Sequence, residues 1–284
     1  MSQEIANTLL QLGHHFSPKM VRLAGYLGRE EIAKILEPLK ADPKRLEPYG
    51  LKIFSQGDED GILQEIFRRI GITRGTALEI GVQGGVECNS HLLLYKGWKC
   101  HWFEGSDYWA NHLQSKFQDM LSTGQLSFTH TFVTKENLKE LLVNVPDDID
   151  FVGIDVDGND YSFFEALHLK PKVVCIEYNA LFPPGLSLVQ QYNPTHVWCG
   201  SSYFGASLTA MTRLAHRLGY TLVGTNIVGT NAFFVRNDLV GDHFCSPATP
   251  GVLYNPPRYW LIQDVFTQCG HPPDHGPFVH VPEE

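Results

Sequence analysis

The 284 residues hold 31 acidic against 22 basic side chains, a formal net charge of −9 that argues against a broad phosphate-binding face for DNA or RNA. Hydrophobic content of 43% with only 19% charged residues excludes a disordered chain and fits one large α/β domain with additions. The six cysteines are scattered without a C-x-x-C pair, the start lacks a signal-peptide pattern, and no run approaches the ~20 apolar residues that span a bilayer; a soluble cytoplasmic protein with no membrane partner is expected.

Residues 1–48 read as an N-terminal helical extension. Ile5, Leu9, Leu10 and Leu12 share a face, Pro18 interrupts, and Val21, Leu23, Leu27, Ile32, Ile35 and Leu36 resume the pattern. Pro38, Pro43 and Pro48 then punctuate a linker, so this part is expected to serve as a lid or a homodimer surface. Next, Ile53 to Gly61 is a polar loop leading into a helix that bears Leu63, Ile66 and Phe67. Ser55 or Asp58 is its candidate cap, and Ser55 and Gln56 are candidate ligand contacts.

Residues 49–240 read as the main domain, a doubly wound and mostly parallel sheet. Strands are predicted at 76–82, 98–105, 126–133, 149–156 and 172–178, with helices at 87–96, 108–121, 135–143 and 161–167 between them. A helix at 206–218 and an antiparallel pair at 220–226 and 231–236 would complete a seven-stranded sheet. Residues 241–284, rich in proline and aromatics, are expected to form an extended arm packed on the domain or on a second subunit.

The motif with the most chemical content is Ala77-Leu78-Glu79-Ile80-Gly81-Val82-Gln83-Gly84-Gly85, an apolar strand running into a glycine turn with an acidic residue at its mouth. A helix opening near Val86 would aim its unpaired N–H groups at a ligand. The spacing lacks the G-x-G-x-x-G of dinucleotide folds and the Gly-Lys-Ser/Thr of phosphate loops, so the ligand is expected to be a nucleoside without a polyphosphate. The next strand ends in Glu104, spaced to accept hydrogen bonds from both ribose hydroxyls.

Period-2 alternation puts Asp155 and Asp157 on one face at the carboxyl edge, beside Glu177, Tyr178 and Asn179. Two explanations compete: a Mg²⁺ or Ca²⁺ held by Asp155 and Asp157 with Glu177 or Asn179, or carboxylates that bind a ligand's amino group with no metal. The second is favoured, so no metal is assigned. Asn137, just after the third strand, is either a ligand contact or part of a cap with Thr134, and His196 is either a general base or a structural loop histidine.

Taken together, Phe54 to Gly61, Ile154-Asp155-Val156-Asp157-Gly158-Asn159-Asp160-Tyr161 and Ile176-Glu177-Tyr178-Asn179-Ala180 resemble the FkbM-like branch of class I S-adenosylmethionine (SAM) methyltransferases. The resemblance implies SAM as methyl donor and a small-molecule acceptor, sugar-like or a natural product. It implies a cradle of Glu79, Gly81, Gln83, Gly85 and Glu104, with Ser55, Gln56 and Asp155 at the methionine end and Asn137 at the adenine. Tyr178 and Asn179, with Asp155, would face the reacting centre. The turn departs from the commoner G-x-G-x-G at Gln83. Similar proteins include azetidine-2-carboxylate synthases, which cyclise SAM and release methylthioadenosine; that reaction and an inactive SAM-binding scaffold are the alternatives.

Overall fold

The computed structural model describes residues 27–261 and 278–282. A helix runs through residues 27–39 (α1), and the chain then enters α2 (Glu59–Arg69). The alternation that follows is β1 (Thr76–Ile80), α3 (His91–Tyr95), β2 (Lys99–Glu104), α4 (Asp107–Lys116), α5 (Gln118–Ser122), β3 (Leu126–His130), α6 (Leu138–Leu141), β4 (Phe151–Ile154), α7 (Asp160–Ala166) and β5 (Val173–Glu177). After the short β6 (Leu188–Gln190) come α8 (Leu208–Leu218), β7 (Tyr220–Thr225) and β8 (Asn231–Arg236). Seven strands form one sheet in the order β3-β2-β1-β4-β5-β8-β7, parallel except that β8 runs against both its neighbours.

Side-chain alternation along each strand makes two cores. Leu78, Ile80, Val152, Ile154, Val174 and Ile176 face one side, where Leu138, Phe163, Phe164, Leu208 and Met211 of α6, α7 and α8 cover them. Ala77, Cys100, Trp102, Phe151, Val173 and Cys175 face the other, under Ile62, Leu63 and Ile66 of α2 and Leu93 and Leu113. With both faces buried, the strand ends are where the sheet stays open to a ligand.

The strands fall within about three residues of their predicted bounds, but three helices differ. The predicted 87–96 helix begins only at His91, because the Glu79 carboxylate accepts the N–H groups of Asn89 and Ser90 and holds Val86–Ser90 in a loop. The predicted 108–121 helix breaks at Phe117, and the predicted 135–143 helix shortens to α6. Two strands, β6 and β9 (Phe278–His280), were not predicted and pair antiparallel with each other.

The described parts of both flanks lie against the domain. Ile32 and Leu36 of α1 pack on Ile227, Val228 and Tyr259. Arg45 forms a buried ion pair with Glu47 and donates to the Val252 carbonyl at 2.8 Å. Residues 1–26, with Ile5, Leu9, Leu10, Leu12, Val21 and Leu23, and the tail residues 262–277 fall outside the described residues. No helix among the described residues is long and apolar enough to cross a membrane.

Candidate active site

The glycine turn is built by a close approach that only glycine allows. Gly81 leaves β1 at φ +88, and a Cβ there would stand 1.7 Å from the Asp155 carbonyl oxygen at the exit of β4. Gln83 also sits in the left-handed region, at φ +48. Glu104 ends β2 and accepts from Gln83 N–H at 2.7 Å and Ser106 N–H at 2.8 Å, so its carboxylate is pinned across the turn with lone pairs to spare.

A cavity of about 450 Å³ opens beside Glu104, between Phe103, Phe132, Val133, Phe163 and His196 to Trp198, which belong to the long insertion between β5 and α8. A smaller one of about 270 Å³ lies across the turn, lined by Gln56, Glu79 and Asn89, and both touch Gly81, Gln83, Trp109 and Asp155. The cleft thus has an apolar end with a fixed carboxylate and a polar end with buried acids.

Half-buried carboxylates gather at the junction. One oxygen each of Asp155, Asp157 and Glu177 lie within 4.8 Å of one another, and Glu177 Oε2 has no hydrogen-bond partner. Burial first, then the neighbouring negative charges, pushes the Asp155 and Glu177 carboxyls well above the usual carboxylate range. Burial raises Asp157 as well, opposed by His196. Asp160 is pushed up to about 7, chiefly by burial, while it accepts Val156 N–H and Gly158 N–H and so shapes the turn that holds Asp157 at φ +54. Like charges this close require a counter-charge, whether shared protons, a cationic ligand or a metal ion.

The sequence-predicted residues separate into two groups. The cleft brings together Gln56, Glu79, Gly81, Gln83, Glu104 and Asp155. Glu79 is also a loop anchor: Asn89 N–H, Ser90 N–H and the Ser90 hydroxyl all donate to it, so the N-terminus of α3 points at this carboxylate and not at a ligand. Burial raises its carboxyl, and those donors oppose the shift.

The other group serves the scaffold. Ser55 is fully buried, and its Oγ accepts Asp60 N–H at 3.2 Å in the first turn of α2. Gly85, at φ +72, packs its Cα on the rings of Trp102 and Phe117. Asn137 accepts Thr134 N–H and donates to the Phe132 carbonyl, so it shapes the cleft wall without entering it. Tyr178 is fully buried in the core on the α8 face and donates to the Asn255 carbonyl at 2.8 Å. Asn179 is buried too, tying the Ser202 and Phe204 carbonyls to Leu181 N–H. The structure therefore does not bring Tyr178 and Asn179 to the cleft with Asp155.

Several lining residues escaped the sequence reading. Trp109 and Phe132 had no motif to mark them, and Val197 and Trp198 come from an insertion of no regular period. Glu177, weighed with Asp155 and Asp157 from the sequence, does stand with them: Gly153 pairs with Cys175 in register, so the alternation two residues on sets Glu177 beside Asp155, while Tyr178 faces the opposite core.

A sheet of this order, with the reversed strand β8 between β5 and β7 and the cleft at the ends of β1, β2 and β4, decides the fold class. The fold is that of the class I methyltransferases. No family model matches the chain, and no curated protein matches its sequence. Among solved structures, the chain is similar to the O-methyltransferase TomG from Streptomyces achromogenes in complex with SAM, at 15% identity over 74% of this chain and 89% of that one, with a TM-score of 0.42. It is also similar to a Staphylococcus aureus protein provisionally titled a caffeoyl-CoA O-methyltransferase, at 16% identity over 81% and 98% with a TM-score of 0.45. An O-methyltransferase from Bacillus cereus in complex with SAH matches at 15% identity over 73% and 88%, TM-score 0.39. These are likenesses of fold alone.

Proposed function

We propose that this chain is an enzyme that binds SAM at the ends of β1, β2 and β4 and transfers its methyl group to a small-molecule acceptor. Glu104 is the observation that carries the reading. Two backbone donors fix its carboxylate at the mouth of a cavity with apolar walls, where its remaining lone pairs can accept both hydroxyls of a ribose. The Gly81 approach closes the floor between ribose and methionine, and the buried Glu79 and half-buried Asp155 favour the positive amino and sulfonium groups at the far end.

SAM is a substrate here and supplies an electrophilic methyl carbon. The chain's own contribution is orientation, holding donor and acceptor atoms about 3–3.5 Å apart and in line. Room for an acceptor favours transfer over self-cyclisation. Beside the nucleoside cleft lies another cavity of about 440 Å³, lined by Gln190, Tyr192, Asn193, His196 and Tyr203, and His196 belongs to both. Tyr178, the phenol that would assist cyclisation, is engaged elsewhere. An FkbM-like kinship and a sugar-like or natural-product acceptor are the finer form of the same proposal.

Product identity tests it. Incubated with SAM and pools of small-molecule acceptors, the protein should give S-adenosylhomocysteine (SAH) in an acceptor-dependent manner, read by mass spectrometry. Enzyme-dependent methylthioadenosine from SAM alone would replace this reading with the cyclase.

A further inference from the structure

The amino-acid end of SAM carries a carboxylate as well as an ammonium. The cavity of about 270 Å³ answers only the ammonium: Glu79, Glu87 and Asp155 line it, with Gln56 and Asn89 beside them, and its described lining includes no Lys, Arg or His. A carboxylate set among acids is repelled unless a cation balances it. That cation has to reach in from the rim.

Lys52 stands at that rim. Its Nζ donates to the Gln56 carbonyl at 2.7 Å and lies 3.7 Å from Glu87 Oε1. Gln56 belongs to the loop that leads into α2, and Glu87 to the loop that Glu79 holds open before α3, so the ammonium joins two loops at residues that both line the cavity. Neither contact saturates it. An ammonium has three donors, and the Gln56 carbonyl takes one. At 3.7 Å Glu87 is beyond hydrogen-bond distance, and with the two side chains 50% and 65% exposed the ion pair is a weak one. The flexible four-carbon stem of a lysine lets its head turn from such a partner to an arriving anion.

We propose that Lys52 is the counter-ion of the ligand's α-carboxylate, exchanging its loose pairing with Glu87 for the bound carboxylate while the Glu87 side chain returns to water. The inference rests on the methyltransferase reading and deepens it. The amino-acid end is then shared between Glu79 and Asp155, which favour its ammonium, and Lys52, which takes its carboxylate. Lys52 thereby sets specificity: it selects SAM and SAH over adenosyl sulfides that lack the carboxylate, which the acids alone would admit.

The test is titration calorimetry of the whole protein with three sulfides: SAH, its decarboxylated analogue, which keeps the ammonium, and methylthioadenosine, which lacks the amino-acid end altogether. All three have a neutral sulfur, so the comparison isolates the carboxylate. Lys52→Met should weaken SAH by about tenfold and leave the other two within about twofold, which also shows that the site remains folded. Lys52→Arg, which keeps the charge, should hold SAH within about threefold of wild type. Unchanged SAH affinity in Lys52→Met, an equal loss for the decarboxylated analogue, or an Lys52→Arg variant as weak as Lys52→Met would overturn this inference alone. Folded wild type that binds none of the three would remove the methyltransferase reading, and this inference with it.

Discussion

Asp155, Asp157 and Glu177 at the cleft junction are held above the usual carboxylate range by burial and by one another, so each keeps its proton to higher pH than a free carboxylate does. A cationic ligand favours the ionised forms. SAM binding should therefore release protons, and its affinity should rise with pH above the ordinary carboxylate range. Calorimetry in buffers of differing ionisation enthalpy should show the release; proton uptake on binding would contradict it. Asp58 makes a separate case, for stability. Burial, then the Glu59 charge, pushes it from 3.8 up to about 7, so its folded-state preference for the proton adds stability below the unfolded value, lost as pH rises toward 7. Asp58→Asn should therefore gain stability at pH 8 relative to pH 5, by on the order of 2 kcal/mol within the roughly 4 kcal/mol that about three units allow. Equal effects at both pH values in urea melts would count against this. The place of Glu104 at the end of β2, beside the glycine turn, was legible from strand length, whereas the acids and amides of the Phe54–Gly61, Ile154–Tyr161 and Ile176–Ala180 motifs mark both clefts and clamps. Asp60, for example, accepts three successive N–H groups from Ile53, Phe54 and Ser55.

At the scale of elements, strands were legible and so were the starts of α4 and α7, but those of α3 and α6 were not, for one physical reason. Buried apolar runs identify strands directly, but at the ligand edge side chains compete with the backbone for the first N–H groups of each helix. Glu79 delays α3, and the reciprocal pair Thr134 and Asn137 delays α6. Helix α8 lies away from that competition, with Ser207 Oγ accepting Ala210 N–H and Gly219 closing it at φ +88. Its cap supplies an ordinary stability prediction: Ser207→Ala should cost about 1 kcal/mol in denaturant unfolding, and no loss would argue against the cap. The β1 exit supplies a sharper one. Gly81→Ala cannot be accommodated without separating β1 from β4, so it should abolish SAH binding and lower stability by about 3 kcal/mol or more; near-wild-type affinity would contradict the close approach.

Across the whole molecule, the seven-stranded sheet followed from the alternation of apolar runs with helical ones, but the way the flanks knit to it did not. Asn255 donates to Thr225 Oγ1 at 3.0 Å, Arg213 donates to the Val281 carbonyl, and β9 pairs with β6. Such contacts join segments far apart in sequence and leave no local period to read. The central claim is that this assembly presents a preformed SAM site on Glu104. Titration calorimetry of the whole protein with SAM tests it most directly. Wild type should bind one equivalent, and Glu104→Ala, which removes charge-assisted hydrogen bonds worth about 1.5–3 kcal/mol, should bind roughly ten- to a hundredfold more weakly while staying folded. Undetectable binding by folded wild type, or equal affinity in Glu104→Ala, would contradict the account.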